Sequence, residues 1–305
     1  MRGFGSCLVV VCAFLTATPA QPAGNPFVGR WDFNITTPGG ARAVWLGVHE
    51  KDGKLDVWYQ PTGGNVYEVK NFKVNGSHLT VALSSTLTWE LDANGTNLIG
   101  VQKRGDSSVS LTGVRAPDLK RDAPKAWTKP EPLFNGKNLD GWEPMGDPTR
   151  SHWTVEDGLL VNLAHGANLK TKRSFDDVQV HYEVNCPDKG NSGFYLRGRY
   201  EVQIEYEPLS ENPPERRIGS IYGRIAPSPE LPRTPGQWEA FDVTLVGRMV
   251  TVVRNGVTII DRQEIEGITG GALDANEGAP GPFYIQGDHT GGLKFRNITV
   301  AVPQR

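Results

Sequence analysis

The stretch Asn191–Pro208, NSGFYLRGRYEVQIEYEP, limits the fold most tightly. Two strand-like runs flank Gly198-Arg199, and in the second Glu201, Gln203 and Glu205 alternate with Tyr200, Val202, Ile204 and Tyr206. Successive side chains of a strand point to opposite faces. One face therefore carries two carboxylates and an amide, and the other is apolar and aromatic. Two hairpin registers are open. A two-residue Gly198-Arg199 loop would pair Arg197 with Tyr200 and place Leu196 on the carboxylate face. An odd-length loop or bulge would pair Arg197 with Glu201, Tyr195 with Gln203 and Leu196 with Val202. A one-residue slip turns every side chain over, so the buried face decides, and the second register is preferred. It gives a face of Arg197, Tyr195, Glu201, Gln203 and Glu205, with Asn191 at the head of the first run, suited to a polar ligand such as a sugar. The same pattern also fits a solvated outer face with an Arg197–Glu201 ion pair.

Comparable runs fill the rest of the chain. From 25 to 116, runs of five to eight residues such as ARAVWLGVHE, KLDVWYQ and LTWELDA recur between Gly, Asn and Asp. This predicts a small all-β meander or barrel, with hairpins at Asp52-Gly53, Asn75-Gly76 and Asn94-Gly95. Trp31, Trp45, Trp58 and Trp89 could stack on sugars, but core packing is the simpler reading. A Pro-rich linker is expected over 117–131, kept solvated by Lys120, Arg121, Lys125 and Lys129. Residues 132–303 form the second domain. Its runs lack long amphipathic helices, and a single open sheet would leave an apolar face wet, so a two-sheet sandwich follows.

Lys plus Arg number 32 against 34 Asp plus Glu, which argues against nucleic acid or an anionic membrane as partner. Residues 1–23 read as a secretory signal peptide, with Arg2 ahead of the apolar Leu8–Leu15. That core is too short for a stable span. A periplasmic or secreted protein is expected. Cys7 and Cys12 leave with the signal, and Cys186 remains as a small buried residue without a disulfide.

Seven segments in order carry a family resemblance: LFNGKNLDGWE, WTVEDGLLV, LKTKRSFDDVQVHYEV, NSGFYLRGRYEVQI, GSIYGRIAP, PGQWEAFDVTLVGRMVTVVRNG and GPFYIQGDHTGGLKFRNITV. From Leu133 to Val302 the chain resembles the bacterial 3-keto-disaccharide hydrolases. The resemblance implies a concanavalin-like jelly roll whose concave sheet forms a groove. It also implies a substrate already oxidised to a ketone at C3, and hence an upstream sugar 3-dehydrogenase. The ketone acidifies the C2 hydrogen. A base can remove that proton, the glycosidic oxygen can leave from C1, and water can add back. Such a site needs a base, a group for the enolate oxygen and an acid for the leaving group.

Glu201 is the first candidate for the base, and His289, in IQGDHTGG, is the second. Tyr222 could protonate the leaving group, and Arg197 could hold the C3 oxygen. Tyr195, Gln203, Gln286, Asn191 and Glu205 are candidates for substrate binding. Glu201 and Glu205 lie roughly 13 Å apart along a regular strand, too far for a retaining nucleophile–acid pair. No cofactor is assigned, but a divalent cation could be held by Asp288 and Glu205, and it would stabilise an enolate. Two other functions remain open. One is a non-catalytic carbohydrate-binding protein, and the other is a conventional glucanase on the same fold.

Overall fold

The computed structural model describes residues 24–37 and 40–304. The expected signal peptide, with Cys7 and Cys12, lies outside the described residues. Among these no α-helix forms, and two short 3-10 turns interrupt an otherwise all-β chain.

Nine antiparallel strands between Gly29 and Arg115 form one sheet. All but the fourth and fifth pair with their neighbours in sequence, and the last, Ser107–Arg115, returns to the first, Gly29–Thr37. The barrel stays open only between Tyr67–Val69 and Phe72–Asn75. The run VYEVKNFKV breaks there because Lys70 and Asn71 are exposed and interrupt the alternation. Side chains fill the interior. Trp31, Phe33, Leu46, Val57, Trp89, Leu91 and Leu98 are fully buried, with the Trp89 ring 4.8 Å from Phe33 and 5.2 Å from Tyr59. Trp31, Trp45 and Trp89 are thus core residues, and the Trp58 indole donates to Asp56.

Two further sheets face each other in the second half. One contains the strands Trp153–Glu156, Leu159–Asn162, Leu293–Ala301, Val178–Asn185, Trp238–Val246, Met249–Arg254 and Val257–Glu264 in that spatial order. The other runs Trp142–Pro144, Leu169–Thr171, Tyr284–Ile285, Asn191–Leu196, Tyr200–Glu205. Between them Tyr182 stacks on Phe194 at 4.4 Å and on Phe241 at 5.1 Å, while Phe175 stacks on Phe283 at 4.6 Å. Cys186 is buried and free, as expected.

The hairpin register differs from both expectations. Leu196 pairs with Tyr200, Tyr195 with Glu201 and Gly193 with Gln203. The turn spans Arg197, Gly198 and Arg199, with φ of 51° at Arg197 and 69° at Gly198. Glycine tolerates that left-handed region and arginine does not, so Arg197 needs external anchors. It donates to Asp176 Oδ1 at 3.0 Å and to the Gly247 carbonyl at 2.6 Å. The register is displaced by two residues from the preferred one, an even number, so Tyr195, Glu201, Gln203 and Glu205 still share a face.

Segment 117–130 is mostly exposed, with Lys120, Arg121, Lys125 and Lys129 at the surface, and it is tethered to the sandwich at a few points. Leu119 is buried, Arg121 pairs with Asp176 and Asp177, and the Thr128 amide donates to the Val302 carbonyl. The segment from 264 to 281 lies between barrel and sandwich. Its Glu264 pairs with Arg30 at 2.6 Å, Glu266 with His49, and the Ala275 amide donates to Asn34 Oδ1 at 2.9 Å. Trp45, Ala43, Ile268, Ala272 and Ala275 form a small apolar core at this junction. Asp32 of the barrel meets Glu277, whose carboxylate is gripped by Arg248 through two nitrogens. Burial first, and the Glu277 charge second, push the Asp32 acid up to about 9.

Candidate active site

Cross-strand pairing lines up one residue from each strand of the five-stranded sheet. Glu143 pairs with Lys170, Lys170 with Tyr284, Tyr284 with Tyr195, and Tyr195 with Glu201. Their neighbours Leu169, Ile285, Phe194 and Val202 point into the sandwich core, so this row faces outward. It passes from an ion pair, Lys170–Glu143 at 3.2 Å, through two tyrosines stacked at 3.8 Å, to a buried carboxyl. A parallel row follows: the Gln286 amide donates to the Gly193 carbonyl, and Gly193 pairs with Gln203. Gly193 has a steric role. A Cβ there would stand 2.0 Å from Glu201 Oε1, so only glycine lets the carboxyl lean over the sheet.

Long loops roof this face. Every residue of Tyr200–Glu205 is buried. Over Glu201 the roof is the segment that also meets the barrel. The Tyr195 hydroxyl lies 2.6 Å from the Gly270 carbonyl, and the Tyr284 hydroxyl donates to the Gly271 carbonyl at 2.6 Å. Thr269 Oγ1 accepts the Glu201 amide at 3.0 Å.

The Tyr195 hydroxyl is also 2.6 Å from Glu201 Oε2 and accepts from Gln286 Nε2 at 3.0 Å. One phenolic hydrogen cannot serve both Glu201 and the Gly270 carbonyl. When Glu201 is neutral it donates to Tyr195, which donates to Gly270. When Glu201 is ionised the phenolic hydrogen must turn to it, and the carbonyl loses its donor. Burial pushes the Glu201 carboxyl up to about 8, the Tyr195 hydrogen bond pulls it down, and the Asp288 charge pushes it further up. Burial, and then Glu201, also raise both tyrosines.

Tyr222 approaches from the loop beside the edge strand. Its amide donates to the Glu201 carbonyl at 3.0 Å. Burial raises its phenol, the Arg216 charge lowers it and the Glu201 charge raises it. The Arg216 guanidinium lies 5.7 Å from the Tyr222 ring centroid. At the exposed end, His289 Nδ1 is 3.0 Å from Asp288 Oδ1, and Asn168 Oδ1 accepts the amides of Gly287 and Asp288. Burial raises the Asp288 acid, but the hydrogen bond and charge of His289 outweigh it, so the acid lies below its usual range. Asn191 joins this end through Thr290, whose Oγ1 accepts its amide at 2.6 Å.

The structure thus gathers Glu201, Tyr195, Tyr222 and Gln286, and it links His289 to them only through Asp288. Three expected assignments change. Arg197 forms no ion pair with Glu201, because its guanidinium holds the hairpin turn through Asp176, Gly247 and Tyr200. Glu205 is fully buried and already accepts from the Ile218 amide, Arg233, the Glu207 amide and Asn212. Those four donors fill its lone pairs, leaving none for a sugar or a cation. Gln203 is buried, with its Oε1 turned back to the Ile204 amide. Among the described residues no three His, Cys, Asp or Glu side chains gather as a metal-binding set, and of the expected Asp288–Glu205 pair, Glu205 is already occupied by its four donors. Lys170 and Arg216 were missed by sequence reasoning. Lys170 sits in a three-residue strand and Arg216 in a Pro-flanked turn, and neither has a periodic signal.

Residues 129–301 match the family described as the 3-keto-alpha-glucoside-1,2-lyase-like domain. No curated protein matches the chain. Solved structures with some likeness include two from Parabacteroides distasonis ATCC 8503 that are assigned provisionally to the glycosyl hydrolases. The first is 27% identical with a TM-score of 0.48, covering 60% of this chain and 93% of its own. The second is 21% identical with a TM-score of 0.47, covering 57% and 92%. A Trypanosoma rangeli sialidase aligns at 11% identity and a TM-score of 0.32, over 90% of this chain and 51% of its own.

Proposed function

Because the chain belongs to the 3-keto-alpha-glucoside-1,2-lyase-like family, whose members act on glycosides, we propose that it cleaves 3-keto-glycosides by elimination and hydration. One observation carries this reading. The outward face offers a buried carboxyl at Glu201 with its pKa raised to about 8, while the second carboxylate of the strand, Glu205, is locked by four donors. A retaining glycosidase needs a free nucleophile–acid pair. Elimination needs one strong base and donors, and this arrangement suits it.

In the proposed reaction, ionised Glu201 takes the C2 proton of the keto-sugar. The C–H electron pair becomes an enolate across C2, C3 and the C3 oxygen. Arg216 takes the role expected of Arg197 and stabilises that oxygen. The enolate then expels the C1 glycosidic oxygen, which takes a proton from Tyr222, and a C1–C2 double bond remains. The Tyr222 phenolate takes a proton from water as its hydroxyl adds to C1, and Glu201 returns its proton to C2, giving the free 3-keto sugar and restoring both residues. Asp288 and His289 sit at the exposed end, where the departing group and the water pass.

The substrate requires a dehydrogenase acting at C3 upstream. The signal-like 1–23 favours a periplasmic or secreted location. The test is hydrogen exchange at C2 of 3-keto-trehalose in D2O, with unoxidised trehalose as control. Exchange and cleavage are expected for the keto-sugar alone. Glu201→Gln should lower both by roughly 10²–10⁴-fold, since an amide cannot accept the proton. Cleavage of unoxidised trehalose, or undiminished exchange in the folded variant, would overturn the assignment.

A further inference from the structure

We propose that the barrel's loop Pro61–Val66, which lies outside the family-matched residues, is a positioning element of the Glu201 site. It would act by clamping Gly270 and Gly271 onto the tyrosines that contact Glu201. The loop belongs to the barrel and the site to the sandwich, yet they meet at backbone distance. The Gly271 amide donates to the Thr62 carbonyl at 2.9 Å. A Cβ on Gly270 would stand 2.4 Å from the Gly64 carbonyl oxygen and 2.8 Å from its nitrogen. On the other side of the loop, a Cβ on Gly223, next to Tyr222, would stand 3.2 Å from the Asn65 Cα. The loop is braced from within, because Gln60 is fully buried and its Nε2 donates to the Pro61 carbonyl at 2.9 Å and the Gly64 carbonyl at 2.8 Å.

The clamped peptides are the ones that bear on the chemistry. Their carbonyls receive the Tyr195 and Tyr284 hydroxyls, and the Tyr195 hydroxyl is the group against Glu201. A second anchor holds the same segment. Arg224 lies over the Trp45 ring at 4.4 Å and donates to the Ile268 carbonyl at 2.7 Å. The barrel therefore fixes one wall of the Glu201 pocket without touching the carboxyl. Displacing such a wall by about 1 Å can cost on the order of 10²-fold in rate, because reacting groups lose alignment.

This inference rests on the proposed reaction only for its kinetic readout, so the test carries a second one. Two full-length variants approach the contact from opposite sides. Deletion of Gly63-Gly64 shortens an exposed loop tip, a site where changes are tolerated. Gly270→Ala introduces a methyl against the same loop. The measurement is the titration of the Glu201 carboxyl by difference infrared spectroscopy, with Glu201→Gln as blank, beside kcat and KM on 3-keto-trehalose. The groups facing Glu201 are Tyr195, Tyr284, Tyr222 and Asp288, and neither variant alters them.

The wild-type midpoint is expected near 8. In both variants water should reach the carboxyl, lowering the midpoint by roughly one unit or more and kcat by about 10–100-fold with little change in KM. Folded variants with the wild-type midpoint and kcat would overturn the inference. If the wild type turns over no keto-sugar, the proposed reaction fails, and the infrared midpoint still decides the positioning role. If one variant does not fold, the other decides.

Discussion

Replacing Tyr195 by Phe removes one oxygen from the proton balance around Glu201 and keeps the ring stacked on Tyr284 at 3.8 Å. Ionised Glu201 would lose a charge-assisted hydrogen bond, worth about 1.5–3 kcal/mol, and neutral Glu201 would lose an ordinary one, worth about 0.5–1.5 kcal/mol. The difference disfavours ionisation by roughly 1–1.5 kcal/mol, or about one pKa unit. The sign agrees with the downward pull of Tyr195 on the carboxyl. Starting from a value of about 8, the ionised fraction at neutral pH falls from roughly a tenth to roughly a hundredth. The rate at pH 7 should therefore drop about tenfold, while the alkaline plateau changes much less. Initial rates of C2 exchange on 3-keto-trehalose across about pH 6–10 would show the limb moving up by about one unit. A limb that stays in place, or moves down, would refute the pairing of Tyr195 with the ionised base.

Asp288→Asn should move the same limb the other way, because the Asp288 charge raises the Glu201 carboxyl; a pH–rate profile decides the direction. Glu205→Gln should cost about 3 kcal/mol of stability in urea unfolding, since Arg233 and three other donors lose their anion, while the pH limb of the folded protein stays where it was. Glu201→Gln should raise the melting temperature above about pH 8 relative to wild type. The stability linked to the raised carboxyl is complete below its unfolded value near 4.5 and is lost as pH rises through about 8, and an amide has no such loss.

Much of the fold was legible because period-two alternation survives wherever one face is buried. The long strands Val178–Asn185, Trp238–Val246 and Leu293–Ala301 announce themselves in this way. The strands Trp142–Pro144 and Leu169–Thr171 do not, because three residues show no period. The hairpin register escaped for a different reason. The positive φ of Arg197 rests on Asp176 and the Gly247 carbonyl, which are distant in sequence. Parity was recoverable because an even displacement preserves the faces, so Tyr195, Glu201, Gln203 and Glu205 were placed together correctly even where their pairings were not.

Alternation reports the face of a sheet but not what lies over it. Glu201 and Glu205 look alike in YEVQIEYE, and both point outward. Their fates diverge through loops that bear no periodic relation to the strand. The loop from 206 to 237 returns Asn212, the Ile218 amide and Arg233 to Glu205 and occupies its oxygens. The segment from 264 to 281 reaches Glu201 through Thr269, which accepts its amide, and through the Gly270 carbonyl, which faces the Tyr195 phenol bonded to the carboxyl. Glu205 is met by four donors, whereas burial holds the Glu201 carboxyl back from its charged form. Of two identical side chains four residues apart, Glu201 is the one whose carboxyl is raised to about 8 and placed to take up a proton near neutral pH. The division of labour along this strand is therefore set by the donors each roof supplies, and the barrel enters the site because it braces the roof that supplies Glu201 with none that are charged.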